Sequence, residues 1–143
     1  MDIYTAIATR KSVRAFEDRD VPDQTLTRLL EGDAPVAVRF VGQVNRLRDA
    51  TLEGVALAAS PERAVWLDLT GALFTPEPLT RLLNDAQRTR IVWDLKTESL
   101  LLRSAGIDAK PAQFDVLLAA YLWQPSRSTY ALDWLSEDLL KLR

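Results

Sequence analysis

Three strand-like segments follow one another between residues 36 and 69, and this order constrains the fold more than any other feature of the chain. The segments 36–44, 52–59 and 64–69 are rich in Val, Leu and Ala, and turn-forming residues bound them. The sequence SPER at 60–63 predicts a hairpin because Pro occupies the second position of the turn. Short connections of this kind join antiparallel strands. The sequence therefore predicts a three-stranded antiparallel meander.

Helical periodicity dominates the rest of the chain. Four segments are predicted to be helices because leucines recur at helical spacing or apolar residues run together: 76–86, 95–105, 114–123 and 131–141. A short strand-like run at 90–93 separates the first two of them. A meander followed by helix, strand and helices predicts an α/β fold with a mixed sheet flanked by helices.

The helix-breaking cluster EGDAP at 31–35 separates the strands from the beginning of the chain. Before this cluster the pattern predicts two short helices, at 2–9 and 23–31, and the second carries a stripe of Leu26, Leu29 and Leu30. We therefore divide the chain into a helical appendage, 1–33, and an α/β domain, 35–143. The stripe is expected either to dock on the sheet or to drive self-association through the N-terminal helices.

Composition excludes several kinds of chemistry. The 143 residues include no cysteine and no histidine, so disulfides, thiolate or imidazole metal ligands and histidine-dependent triads are absent. The net charge of −2 gives no overall basic field that would attract nucleic acid. No apolar run is long enough to cross a bilayer, and the N-terminus has no signal-peptide core. We expect a cytoplasmic protein that does not contact a membrane.

Two stretches after residue 51 carry a family resemblance: LEGVALAASPERAVWLDL and RIVWDLKTESLLLRSAGIDAKPAQFDVLLAAYLWQPSRSTYALDWLSEDLL. The first is similar to the second and third strands of the 3′–5′ exonuclease domain of bacterial DNA polymerase I. The second resembles the strand, NLKYD helix, FDTMLAAYLLDPS helix and LDxLA helix of the same domain. The resemblance implies a ribonuclease-H-like fold whose first strand is 36–45. It also implies truncation at the C-terminal end, because the family's last helix is not matched.

The resemblance implies where a metal site would lie. The family holds two divalent cations with an Asp-x-Glu pair on the first strand, the Asp of NLKYD and a Tyr-x-x-x-Asp motif near the end of the domain. In this chain the Asp-x-Glu positions fall near residues 42–44, and no acid lies between residue 36 and Asp49. DLKTE at 94–98 places Glu98 at the Asp position, with Asp94 one helical turn before it.

One displaced carboxylate cannot hold two cations that each require about six oxygen ligands. We therefore expect no catalytic residue and no metal ligand. Glu98 and Asp94 are interpreted as acids of a solvated helix start, where the helix dipole favours them, and as the remnant of a site. The main hypothesis is a catalytically degenerate exonuclease-like module with a structural or interaction role, and it requires no cofactor. By the resemblance, such inert domains serve in the polymerase family as spacers between active ones.

The beginning of the chain carries a second resemblance. MDIYTAIATRKSVRAFEDRDVPDQTLTRLLE, at 1–31, resembles the first segment of the flavin-dependent nitroreductases, with their opening helix, RRSxRxF loop and VP dipeptide. The resemblance implies that four residues contact the FMN phosphate: Arg10, Lys11, Ser12 and Arg14. Basic side chains and a hydroxyl suit a phosphate group. The other flavin-contacting segments of that family are not matched, so FMN binding is an alternative hypothesis. A natural fusion, a truncated gene product and an engineered chimera all remain open as origins.

A third hypothesis is weak binding of single-stranded DNA by the remnant of the exonuclease cleft. The candidate contacts are Lys96 at the start of the 95–105 helix and Arg127 and Tyr130 in the loop PSRSTY. By the resemblance, this loop approaches the substrate. Tyr121 and Trp123 are candidates for stacking on bases, although packing in the core or against a neighbour is the favoured role for these aromatic residues.

Overall fold

The computed structural model describes residues 23–46, 49–70 and 77–140. Within these ranges the elements follow the order α1 Asp23–Leu30, β1 Val36–Arg46, β2 Asp49–Ser60, β3 Arg63–Asp68, α2 Glu77–Asn84, β4 Arg90–Val92, α3 Leu95–Ser104, β5 Phe114–Asp115, α4 Val116–Trp123 and α5 Leu132–Leu140. The order confirms the predicted meander followed by helix, strand and helices.

The strands form one mixed sheet in the order β3-β2-β1-β4-β5. The meander β1–β2–β3 is antiparallel, whereas β4 runs parallel to β1 and β5 runs parallel to β4. The α/β fold with a mixed sheet is therefore confirmed. One element was missed: Phe114 and Asp115 were predicted as the start of a helix, but they pair with Ile91 and Val92 as a short edge strand. Two residues are too few to show the alternation that identifies a strand.

The main hydrophobic core lies between one face of the sheet and helices α1, α2 and α3. Alternate residues of β1, Val36, Val38 and Phe40, are buried in this core. The helices contribute buried leucines to the same cluster: Leu26, Leu29, Leu79, Leu82, Leu83, Leu101 and Leu102. Helix α1 therefore docks on the sheet, which is one of the two outcomes expected for its leucine stripe.

A second, smaller cluster lies on the opposite face of the sheet. Ile91 of β4 packs there with Val116 of α4, and Trp93, Leu132 and Leu139 lie against them. Since Ile91 alternates with Arg90 and Val92 along β4, these two residues point towards the main core instead. The sheet is thus covered by α1–α3 on one face and by α4 and α5 on the other. Among the described residues, no helix combines the length and apolar character needed to cross a bilayer.

Candidate functional site

The corner between β4 and α3 contains the two acids singled out from the sequence. Asp94 is the N-cap of α3: its Oδ1 accepts hydrogen bonds from the backbone N–H of Lys96 at 3.1 Å and of Thr97 at 3.2 Å. Its Oδ2 accepts from the Thr97 hydroxyl at 2.7 Å. Both carboxylate oxygens are therefore engaged in holding the first turn of the helix. This agrees with the interpretation of Asp94 as an acid favoured at a helix N-terminus.

Glu98 differs, and its interpretation as a solvated acid is wrong. Its side chain is only 6% exposed and faces Arg90, whose side chain is completely buried, with Oε1 3.7 Å from Nη1. The burial arises because Glu98 lies three and four residues before Leu101 and Leu102, on the stripe of α3 that faces the core. An acid on that stripe requires a cation, and Arg90 supplies it from β4.

The Arg90–Glu98 pair is held at a distance rather than in close contact. Arg90 Nη2 donates to the backbone carbonyl of Lys110, and the Arg90 backbone N–H donates to the Gln113 side-chain oxygen at 2.7 Å. Arg90 Nε and Nη1 and Glu98 Oε2 are buried, and each lacks a hydrogen-bond partner within the described ranges. Burial raises the pKa of Glu98 to about 7, Arg90 opposes the rise and Asp115 adds to it. Burial likewise lowers the pKa of Arg90, opposed by Glu98.

Asp115 links this corner to the opposite face of the sheet, a role that the sequence interpretation missed. Its Oδ2 accepts from the backbone N–H of Leu95, the first residue of α3, at 2.9 Å. Its Oδ1 accepts from the backbone N–H of Leu118 at 3.0 Å, which caps α4. The signal that identifies it is local, since an Asp directly before an apolar helical run is a typical N-cap.

Strand β1, where the family places its Asp-x-Glu pair, lacks such a pair, and one of the expected positions has no room for a side chain. No Asp or Glu occurs between Val36 and Arg46. A Cβ atom added at Gly42 would lie 2.0 Å from the Thr51 carbonyl oxygen and 2.7 Å from Leu101 Cδ2, so no side chain fits there. Across the described residues, no cluster of three or more acids is arranged to hold a metal ion.

The residues proposed to contact nucleic acid lie in two places. Lys96 is exposed on the first turn of α3. Arg127 forms an ion pair with Asp138, donates from Nε to the Gln124 side-chain oxygen, and lies with its guanidinium carbon 4.6 Å from the centre of the Trp134 ring. The Tyr130 hydroxyl donates to the Gln124 carbonyl at 2.6 Å. The side chains of Arg127 and Tyr130 therefore both hold the loop between α4 and α5 in place.

Tyr121 and Trp123 do not pack in the core, so the first of the two packing roles expected for them is wrong. Both side chains are exposed, although the Tyr121 ring meets the Tyr130 ring edge-on with 5.7 Å between centroids. The buried residues of this helix are Val116 and Ala120, and Tyr121 and Leu122 lie on another side of it, where they are exposed. The alternative, packing against a neighbour, stays open. Arg10, Lys11, Ser12 and Arg14, the candidate FMN contacts, lie outside the described residues, and their role stays a prediction.

Comparison with known families places the fold and this corner in context. The family described as DNA polymerase I, ribonuclease H-like domain matches residues 45–139, which is more than half of the chain. The chain belongs to this family. This chain is also 31% identical over 111 residues to DNA polymerase I of Geobacillus stearothermophilus, in an alignment that covers 78% of this chain and 12% of that protein. The exonuclease resemblance is thereby confirmed.

Two solved structures resemble the domain. One is the POL domain of Pol1 from M. smegmatis in complex with DNA primer-template and dNTP, with a TM-score of 0.68 and 25% identity over 82% of this chain and 21% of that one. The other is a nuclease in its apo form, with a TM-score of 0.70 and 17% identity over 86% of this chain and 58% of that one. The second likeness concerns the fold alone. The domain thus spans a small part of the polymerase relatives that it matches.

Proposed function

We propose that this chain does not cleave phosphodiester bonds and acts as a structural or interaction module with an exonuclease-like fold. The observation that carries the proposal is the buried pair of Arg90 and Glu98, whose facing atoms lie 3.7 Å apart. By the family resemblance, Glu98 occupies the position of a metal-binding carboxylate. In this chain that carboxylate faces a guanidinium instead.

A guanidinium in this position opposes metal binding. Phosphodiester hydrolysis of this type places two divalent cations between carboxylates, where they stabilise the attacking and leaving oxygens. A divalent cation about 5 Å from the Arg90 guanidinium would be repelled by roughly 7 kcal/mol at an effective dielectric constant of about 20. Arg90 cannot relieve this by losing its proton, because arginine keeps its charge in proteins.

The surrounding acids do not compensate. Asp94 and Asp115 each direct both carboxylate oxygens at N–H or O–H donors of α3 and α4. A cation bound to them would compete with these hydrogen bonds and release the helix starts. Strand β1 adds no acid, and Leu101 fills the space beside Gly42. These contacts support the proposal that the residues between β4 and α3 pack the core and cap helices and do not bind metal.

The test is an assay of the purified protein on a single-stranded oligonucleotide labelled at its 5′ end, with Mg²⁺ or Mn²⁺ and with chelator. We expect no shortening above the chelator control, and no heat of Mn²⁺ binding in calorimetry. Glu98→Gln is the matched variant, because it keeps the side-chain shape and removes the charge. Metal-dependent shortening from the 3′ end that Glu98→Gln abolishes would refute the proposal, whereas shortening that survives in the variant identifies a contaminating nuclease.

A second candidate function is weak association with DNA. The M. smegmatis structure that resembles this chain contains DNA primer-template, and this favours the second candidate. We propose that Lys96, exposed at the start of α3, contributes one phosphate contact. Arg127 and Tyr130 contribute by holding the loop between α4 and α5, since their polar groups bind Asp138 and Gln124.

Fluorescence anisotropy of a labelled single-stranded oligonucleotide at low salt tests this second proposal. Lys96→Ala should weaken binding and reduce the slope of log affinity against log salt by about one. Lys110→Ala is the matched control, because Lys110 is exposed and only its backbone carbonyl binds Arg90. A flat titration of the unchanged protein, or equal losses in the two variants, would exclude a specific role for Lys96.

A further inference from the structure

Helix α4 presents an apolar face to the surface. The helix sequence VLLAAYLW has no ionisable group apart from the tyrosine hydroxyl, and Val116 and Ala120 are its buried residues. On other sides Leu118, Tyr121 and Leu122 are 55%, 50% and 70% exposed. These three residues are spaced three and four apart, so they lie side by side and form what is here called the α4 face. A helix that is apolar all round is normally buried on all sides.

Two charged residues that flank α4, Asp115 and Arg127, are engaged within the chain. Asp115 accepts from the backbone N–H groups of Leu95 and Leu118, and Arg127 is paired with Asp138. A nucleic-acid backbone or a charged protein surface placed here would lose hydration without gaining an ion pair. The surface that fits the α4 face is therefore another uncharged apolar surface.

The size of the exposed area indicates the strength of such a contact. Together with Phe114, four residues before Leu118, the α4 face exposes roughly 400 Å², taking about 200 Å² for each large side chain when fully exposed. Two such faces would bury about 800 Å² in total, half of the standard of roughly 1,600 Å², so their pairing is weak and reversible.

We propose that the α4 face is a self-association surface, through which two copies of this chain pair weakly about a two-fold axis. A two-fold interface must be complementary to itself, and an uncharged apolar face meets this condition because no like charges oppose one another. Two α4 helices that pack antiparallel also bring the positive end of each helix dipole near the negative end of the other. The proposal is independent of whether the domain cleaves DNA.

Sedimentation velocity over about a hundredfold range of protein concentration tests the proposal. The sedimentation coefficient of the unchanged protein should rise with concentration towards that of a dimer. Leu122→Glu should stay at the monomer value throughout. Gln87→Glu adds the same charge at an exposed position in the turn between α2 and β4, and it should behave as the unchanged protein does. Equal association of Leu122→Glu and Gln87→Glu would overturn the proposal.

Cross-linking gives a second readout, because the chain contains no cysteine and a single thiol can be placed at will. Leu118→Cys should cross-link to a dimer with a short bismaleimide several-fold faster than Gln87→Cys, and dilution should remove the difference. A monomer at every concentration, with both variants cross-linking equally slowly, overturns self-association. If the thiol at position 118 is also protected from maleimide labelling in that monomer, residues 1–22 become the occupant to test.

Discussion

The two faces of the sheet distribute charge and apolar surface in opposite ways. Under α3, a carboxylate and a guanidinium are sealed inside the main core, with Glu98 and Arg90 3.7 Å apart. On the other face, Leu118, Tyr121 and Leu122 of α4 are exposed. Globular proteins normally bury the second kind of side chain and expose the first. Each face departs from that arrangement, and the reasons differ.

Glu98 and Arg90 compensate each other's charge within the chain, whereas the compensation proposed for the α4 face is a second copy of the chain. Glu98 and Arg90 neutralise each other, and the Lys110 carbonyl takes one guanidinium donor. The hydrogen bonding of the pair is incomplete, because three of its buried polar atoms have no hydrogen-bond partner in the described part of the chain. Damage on this side should therefore appear as lost folding stability. Damage to the α4 face should appear as altered association instead.

The largest expected effect is that of Arg90→Met. Removing one member of a buried ion pair leaves an uncompensated charge, which costs about 3–5 kcal/mol in free energy of unfolding. We expect a loss of this size at about pH 8 in urea denaturation, where Glu98 is ionised. The loss should shrink at about pH 5, where Glu98 is protonated.

Arg103→Met is the control for that experiment, because Arg103 is an exposed residue of the same helix as Glu98. It should change the free energy of unfolding by less than about 0.5 kcal/mol. If Arg90→Met costs no more than Arg103→Met at about pH 8, then water reaches Glu98 and the contrast between the two faces disappears.

The pH dependence of stability is the next largest effect. The pKa of Glu98 is raised from 4.5 to about 7 in the folded chain, so the folded state binds its proton more tightly than the unfolded state does. The stabilisation is fully present below about pH 4.5 and is lost as the pH rises through about 7, for a total of roughly 3 kcal/mol. Glu98→Gln should remove this dependence.

The composition makes the pH measurement unusually clean. The chain has no histidine and no cysteine, so few other groups titrate between about pH 5.5 and 8. Urea denaturation across this range should show a falling free energy of unfolding for the unchanged protein and a nearly flat one for Glu98→Gln. A flat profile for both proteins would mean that Arg90 holds Glu98 ionised throughout, and the pair would then be a close salt bridge.

The sequence predicted features that depend on neighbours along the chain. The order of the elements and the cap formed by Asp94 follow from periodicity and from one helical turn of sequence. The burial of Glu98 depends on Arg90, eight residues earlier on another element, and on the packing of the Leu101 and Leu102 stripe of α3 against the sheet. Nothing in the local pattern DLKTE separates a buried acid from an exposed one. The short strand β5 exists only through its pairing with β4.

Asp115→Ala should have an intermediate effect, because Asp115 serves both faces. Its carboxylate accepts from the Leu95 N–H on the α3 side and from the Leu118 N–H on the α4 side. Loss of an N-cap costs about 0.5–2 kcal/mol, and we expect a loss in that range in urea denaturation. Asp115→Asn retains one acceptor oxygen and should cost less than the alanine variant. Equal losses would show that the negative charge matters more than the hydrogen-bond geometry.

The smallest expected effect is that of Leu122→Ala on the dilute protein, within about 0.5 kcal/mol, because the side chain is exposed. Leu101→Ala is the matched control, since the same atoms are removed from the core beside Gly42, and it should cost about 2–5 kcal/mol. Raising the protein concentration should stabilise the unchanged protein and not Leu122→Ala, since association adds stability only to the folded state that associates. If Leu122→Ala in dilute solution loses much more free energy of unfolding than this, then another segment of the same chain covers the α4 face.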